Sequence, residues 1–387
     1  MRLNRCGLAP AALACGLMGW AEAGGLRASF DGDSPHSSRG ALWAHIEEGF
    51  DQPFAARGRR LAEPLAGSLA AGEVQPSADL PLRRRFSAYE EDDWVHSLAV
   101  SPEGKRLFTG HSFFVAIMWD IESGKEIRRF QGHPNSVRSV ALSPDGRRLF
   151  SGSDEVAIMW DVETGVEIRR FPWPGTSIGR LTLSPDGRYL FAGGLTYDDD
   201  ARFVVRVLMW DVLTGQEVRS FEGSLGIITG LAVSRDGRRL FAGSDHGLHA
   251  WDVETGQEIG RIGDAGIINA VALSPDGQFL FFASAGDSSI HMWDLKTSQE
   301  VRDFPAVGIA SLALRPDGQV LFGVGSKNSI RAWEAATGRQ LVNFGGSNEL
   351  MTSAAVSPDG AALFTGSSDG SAYMWNLGFG DGQAAVP

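Results

Sequence analysis

The chain has 387 residues, 43% hydrophobic and 21% charged, a balance that excludes wholesale disorder. Its 47 acidic and 35 basic side chains leave a net charge of -12, without the basic excess that a phosphate-backbone binder needs, so no nucleic-acid partner is expected. The two cysteines, Cys6 and Cys15, lie at the N-terminus, which excludes a disulfide framework or a structural zinc site in the main body.

The first segment reads as an address. Arg2 and Arg5 precede an uncharged run from Cys6 to Ala21, followed by Ala21-Glu22-Ala23. A basic start, a short apolar stretch and an Ala-x-Ala site are the three parts of a secretory signal peptide. Residues 1–23 are therefore expected to be a signal peptide, which makes the protein secreted or periplasmic; without that role the chain is cytoplasmic. The run is too short to span a bilayer as a helix. Residues 24–80 mix Ala, Gly, Pro and Ser with charges of both signs and read as a mostly irregular linker, the alternative being a partner-binding helix or a strap on the main domain.

From residue 81 onward the chain repeats. A Ser-Pro-Asp-Gly turn occupies Ser143–Gly146, Ser184–Gly187, Ser274–Gly277 and Ser357–Gly360, with near matches at Ser101–Gly104, Ser234–Gly237 and Arg315–Gly318. Each is followed by a Trp-Asp pair or its relative, at Trp119, Trp160, Trp210, Trp251, Trp293, Trp333 and Trp375, spaced 41, 50, 41, 42, 40 and 42 residues apart. Two independent landmarks thus give the same seven units. Within one unit, Val137 to Leu142, Arg148 to Ser151, Val156 to Val162 and Glu167 to Phe171 read as four short strands separated by turn signals.

Four strands at this period, with Trp-Asp ending the third, resemble the WD-repeat β-propeller family over residues 81–387. The resemblance implies an all-β, seven-bladed propeller of four-stranded antiparallel blades, closed by an N-terminal strand. Outer-strand copies end at Phe130, Phe171, Phe221, Ile262, Phe304 and Phe344; the seventh lies upstream, in Leu82-Arg83-Arg84-Arg85-Phe86. The arginines there are expected to be solvated on that outer strand. The family also carries a buried His, Ser, Asp and Trp tetrad, and one unit matches it, at His133, Ser151, Asp154 and Trp160.

The eight histidines are scattered, and only His246 and His249 have a metal-ligand spacing, in a register that points them to opposite faces; with no nucleophile elbow or phosphate loop either, no catalytic residue, metal or cofactor is expected. The informative residues break the repeat. Six units run 14 to 16 residues from turn glycine to Trp, whereas Gly187 to Trp210 takes 23. The excess predicts a long loop near Gly194–Phe203 carrying Tyr197, Asp198, Asp199, Asp200 and Arg202. Trp173 and Trp94 precede first strands, so family geometry places them on the same face as that loop, with Glu90–Asp93 beside Trp94. Exposed aromatics ringed by acids suit a protein-binding hot spot for a basic peptide or loop. The expected function is a non-enzymatic interaction platform, a monomeric propeller within a complex. The alternative is an exported propeller that binds or hydrolyses a small ligand in its central channel, near His96, Arg138, Thr229 and Asn269.

Overall fold

The computed structural model describes residues 82–88, 93–197, 203–223, 226–262, 266–326, 330–344 and 349–378. The expected signal peptide and linker lie outside the described residues. The described residues form 28 strands in seven four-stranded antiparallel sheets. Blade 1 comprises β2 (Val95–Val100), β3 (Arg106–His111), β4 (Val115–Asp120) and β5 (Glu126–Gln131). Blades 2 to 6 follow in chain order, from β6–β9 (Ser139–Pro172) through β10–β13 (Gly175–Phe221), β14–β17 (Ile228–Ile262) and β18–β21 (Ile268–Pro305) to β22–β25 (Ile309–Phe344). Blade 7 takes β26 (Met351–Val356), β27 (Ala362–Ser367) and β28 (Ser371–Asn376) and is completed by β1 (Leu82–Ser87), which pairs antiparallel with β28. The first strands of the seven blades touch one another in a closed ring around the axis, including β26 against β2.

Local chemistry explains the recurrence of the motifs. In the first turn of blade 2, the Ser143 hydroxyl donates to Asp145 at 2.5 Å and accepts the Arg148 N–H at 2.9 Å, and Gly146 takes φ 69°. The Asp of Trp160-Asp161 caps the second turn, accepting from the Thr164 N–H and hydroxyl at 2.8 and 2.9 Å. These donors hold the Asp161 carboxyl below the ordinary carboxylate range. Both turns lie at one end of the blades, hereafter the turn face; the loops into first strands and between second and third strands form the loop face.

Neighbouring blades are held by a repeated pair of contacts. The phenylalanine ending an outer strand meets the tryptophan of the next blade, as in Phe86–Trp119 at 6.0 Å, Phe130–Trp160 at 5.8 Å, Phe171–Trp210 at 6.1 Å, Phe221–Trp251 at 6.2 Å and Phe304–Trp333 at 6.2 Å between ring centroids. At the same interfaces an outer-strand arginine donates to backbone carbonyls of the next blade's second turn. Arg128 reaches Thr164 and Glu163 at 2.7 and 2.9 Å, and Arg169 reaches Thr214 and Leu213 at 2.7 and 2.9 Å. Arg219 reaches Thr255 and Glu254 at 2.8 and 2.6 Å; Arg84 reaches Ser123 at 2.7 Å, and Arg302 reaches Thr337. Arg84 is thus an inter-blade clamp and not the solvated side chain expected, because those carbonyls lie within its reach. Each arginine runs across the turn glycine, and a Cβ on Gly165 would stand 2.6 Å from Arg128 Cδ.

Candidate functional site on the loop face

The inner strands carry a bulge near their start. The register shifts between Val95 and Ser97, and likewise between Ile178 and Arg180. Side chains on either side of the bulge are taken up by neighbours: Val95 is fully buried, and the Ser97 hydroxyl accepts the Val140 N–H of the next blade at 3.2 Å. The bulge residue between them is thereby aimed at the channel. Its copies in successive blades are His96, Arg138, Gly179, Thr229, Asn269, Ala310 and Thr352. Thr229 and Thr352 turn their hydroxyls to the carbonyls of Ile268 and Val95 in the next blade.

Blade 1 dominates the loop face. Asp93 Oδ1 accepts the N–H of both Trp94 and Ser112, at 2.8 and 3.1 Å, and the Ser112 N–H also donates to the Trp94 carbonyl at 3.1 Å. The loop into β2 and the turn after β3 are therefore tied together. Trp94 is 36% exposed, its ring 6.1 Å from that of His96. In the tied turn, Phe113 and Phe114 are 44% and 49% exposed, and Phe114 has φ 65°. A bulky residue in the left-handed region is strained, and a strained exposed aromatic beside a second aromatic is a feature of binding loops. Sequence reasoning missed these two. The available signal was the loss of the turn acid, since Phe113-Phe114 stands where blade 2 has Asp154-Glu155.

A buried relay underlies this surface. The Trp119 indole N–H donates to Thr109 Oγ1 at 2.8 Å, Thr109 meets His111 Nε2 at 2.7 Å, and His111 Nδ1 meets Asp93 Oδ2 at 2.5 Å. Asp93 and His111 are both buried. The carboxylate places the imidazole proton on Nδ1. This relay supplies the tetrad chemistry from other positions than those of the family motif, so motif matching passes it by. In blade 2 the Trp160 N–H donates to Ser151 at 2.7 Å and Ser151 meets His133 Nε2 at 2.6 Å. Asp154 is not joined to them: Arg138 Nε donates to it at 3.0 Å, and His133 Nδ1 is left without a partner. The mouth arginine draws the carboxylate away. Burial and the charge of Arg170 lower the His133 pKa to about 4.

The long unit in blade 3 also differs from the expected loop. β11 (Tyr189–Tyr197) and β12 (Phe203–Asp211) extend the hairpin, pairing Gly194 with Arg206, Leu195 with Val205, Thr196 with Val204 and Tyr197 with Phe203. Leu-Thr-Tyr opposite Phe-Val-Val is a favourable strand composition, so the excess residues lengthen the sheet. Close backbone approach requires a glycine here, because a Cβ on Gly194 would stand 2.0 Å from the Ser177 carbonyl oxygen. Trp173 lies against this extension. It is 4% exposed, donates to the Leu195 carbonyl at 2.9 Å and packs 6.2 Å from Trp210 between ring centroids. It is a core residue and not an exposed anchor, because the extended hairpin covers it. Asp198, Asp199, Asp200 and Arg202 lie outside the described residues, as do Glu90, Glu91 and Asp92; Tyr197 is the last residue of β11.

The WD domain, G-beta repeat family matches four segments of the chain, residues 124–161, 215–252, 256–294 and 338–376. These segments fall within the ring of seven four-stranded sheets. The chain carries four WD repeats in a seven-bladed β-propeller. A stretch of 140 residues is 32% identical to Protein ROOT INITIATION DEFECTIVE 3 of Arabidopsis thaliana, over 34% of this chain and 32% of that protein. WD-repeat propellers are generally non-enzymatic scaffolds that bind proteins or peptides. Among the described residues, no helix is long and apolar enough to cross a membrane.

Proposed function

We propose that this WD-repeat protein is a non-enzymatic interaction platform that docks a peptide or protein edge on the loop face of blade 1. The observation that carries this reading is the tied pair of loops presenting Trp94, Phe113 and Phe114 above the rigid Asp93–His111 relay. Large rings held by buried hydrogen bonds lose little freedom on docking, which suits a hot spot. The exposed Ile227, Ile267 and Val307 precede first strands in blades 4, 5 and 6, so the same face offers further apolar contact across the channel. Of the positions expected from the sequence, Trp94 remains the anchor.

The test is affinity capture from native cells with cross-linking, followed by binding measurements on the identified partner. Trp94→Ala is expected to weaken binding by about 2 kcal/mol or more, the threshold of a hot spot. Phe114→Gly is expected to weaken binding while raising stability by about 1 kcal/mol, since glycine accepts the left-handed backbone without strain. Unchanged affinity in both proteins would remove blade 1 from the docking surface.

A further inference from the structure

The channel mouth contains a cation that the fold leaves without a counter-charge. Where blades 1, 2, 6 and 7 place Ser97, Ser139, Ser311 and Ser353 to accept an N–H from the next blade, blade 3 places Arg180. Its Nε donates to the Thr229 carbonyl at 2.7 Å and its Nη1 to the Gly179 carbonyl at 3.3 Å. No carboxylate among the described residues pairs with it. The neighbouring bulge residue is Gly179, which puts no side chain between this guanidinium and the axis. One blade away, Arg138 gives its Nε to Asp154 at 3.0 Å, and beyond it stands His96 beside Trp94. Burial together with the charges of Arg138 and Arg180 lowers the His96 pKa to about 4, so this ring is neutral at neutral pH and offers no compensating charge either way.

A partly buried guanidinium that gives Nε and Nη1 to carbonyls and has no carboxylate partner can still present Nη2 to an anion, which would complete its fork. We propose that the loop-face mouth of the channel is a binding site for one oxyanion, a carboxylate or a phosphate, with Arg180 as its anchor and Arg138 as its second cation. The shape of the site supports a single group: three consecutive inner strands supply His96, Arg138 and Arg180, while the opposite wall supplies Asn269, Ala310 and Thr352, none of them charged. This inference stands independently of the docking of a partner on Trp94, since it requires only the anion.

The full-length protein tests it. Phenylglyoxal modification of arginines is followed by peptide mass spectrometry with and without inorganic phosphate at constant ionic strength, and calorimetric titration compares the wild type with Arg180→Met. Phosphate is expected to slow labelling of Arg180 and not of Arg84, and Arg180→Met to weaken phosphate binding by about tenfold or more, the scale of one charge-assisted fork. Capped peptides carrying aspartate or phosphoserine then distinguish the sources: tighter binding than phosphate assigns the anion to a polypeptide, and equal binding assigns a free oxyanion. Labelling of Arg180 indifferent to every probe overturns the site even if Arg180→Met fails to fold. Phosphate affinity unchanged in a folded Arg180→Met protein overturns it equally, and neither result bears on Trp94.

Discussion

Two interfaces of the same ring show how a repeat protein varies its own stitching. Between blades 2 and 3, Phe171 packs on Trp210, and Arg169 spans Gly215 to reach two carbonyls. Between blades 4 and 5 every part of that device except the tryptophan is replaced. Gly260 stands at the arginine position, Ile262 at the phenylalanine position, and Ser298 (φ 55°) at the turn glycine. Trp293 on the far side is only partly buried. The substitutions belong together. The arginine stem needs a glycine beneath it, since an added Cβ on Gly215 would lie 2.8 Å from Arg169 Cδ. Where the arginine is absent, the turn tolerates a serine. The clamp is a matched pair shared by two repeats, and it is lost as a pair.

The largest effect is expected from the aromatic half of the clamp. Phe171→Ala leaves a cavity against Trp210 and costs about 3–5 kcal/mol, measured by denaturant titration. Trp293→Ala at the open interface costs roughly half of that, because part of its ring is already solvated. Equal losses would erase the distinction between the interfaces. Acid separates the regions next. His96 and His133, in blades 1 and 2, are held neutral with pKa about 4 against an ordinary 6.5, burial being the chief cause in both. The unfolded chain therefore binds the protons first. Stability is complete well above pH 6.5 and falls as pH drops toward 4, by up to about 3 kcal/mol for each ring. Hydrogen exchange between pH 7 and 4.5 should show that loss in blades 1 and 2; a uniform loss would assign it elsewhere.

Smaller effects address the polar half. Arg169→Met removes two hydrogen bonds to backbone carbonyls and costs about 1–2 kcal/mol, with faster exchange at the turn around Gly215. The reverse experiment builds a clamp where none exists. A Cβ on Gly260 meets nothing within 4 Å, so Gly260→Arg fits locally, but Ser298 stands where the clamped turns have the glycine that the arginine stem crosses. Gly260→Arg combined with Ser298→Gly is expected to gain about 0.5–1 kcal/mol in a double-mutant cycle, and Gly260→Arg alone nothing. Additive single effects would show that the two positions are uncoupled.

Much of the fold was legible because its signals are local. Serine, proline, aspartate and glycine at a turn, and tryptophan followed by aspartate, each satisfy requirements within four residues, and their periods agreed. The four strands of Val137 to Phe171 could be read from alternation and turns alone. The site was less legible because its decisive contacts join distant positions. Nothing near Trp173 announces that Leu195 will cover it, and nothing near Asp154 announces that Arg138 will compete with His133. Asp93 and His111 form a relay across a hairpin, 18 residues apart. Phe113-Phe114 was visible as a break in the repeat, but its meaning depends on a backbone angle. The arginine clamp was legible in principle, since Arg128, Arg169 and Arg219 hold one repeat position and Gly165, Gly215 and Gly256 another in the next unit.

The pairing of β1 with β28 sets a schedule. Leu82 lies opposite Trp375, so among the described strands the first made has the last made as its partner. Blades 1 to 6 can assemble in order as the chain emerges, each stacking on its predecessor. Blade 7 cannot. Its outer strand waits through the synthesis of almost 300 residues with Phe86 able to meet Trp119 but still lacking Phe364, and the exposed edges at both ends of the growing arc persist for that whole interval. The danger this protein faces is thus concentrated in time, at the moment β28 emerges, when a neighbouring chain at the same stage could offer its β1 to the wrong β28 and close a ring made of two molecules.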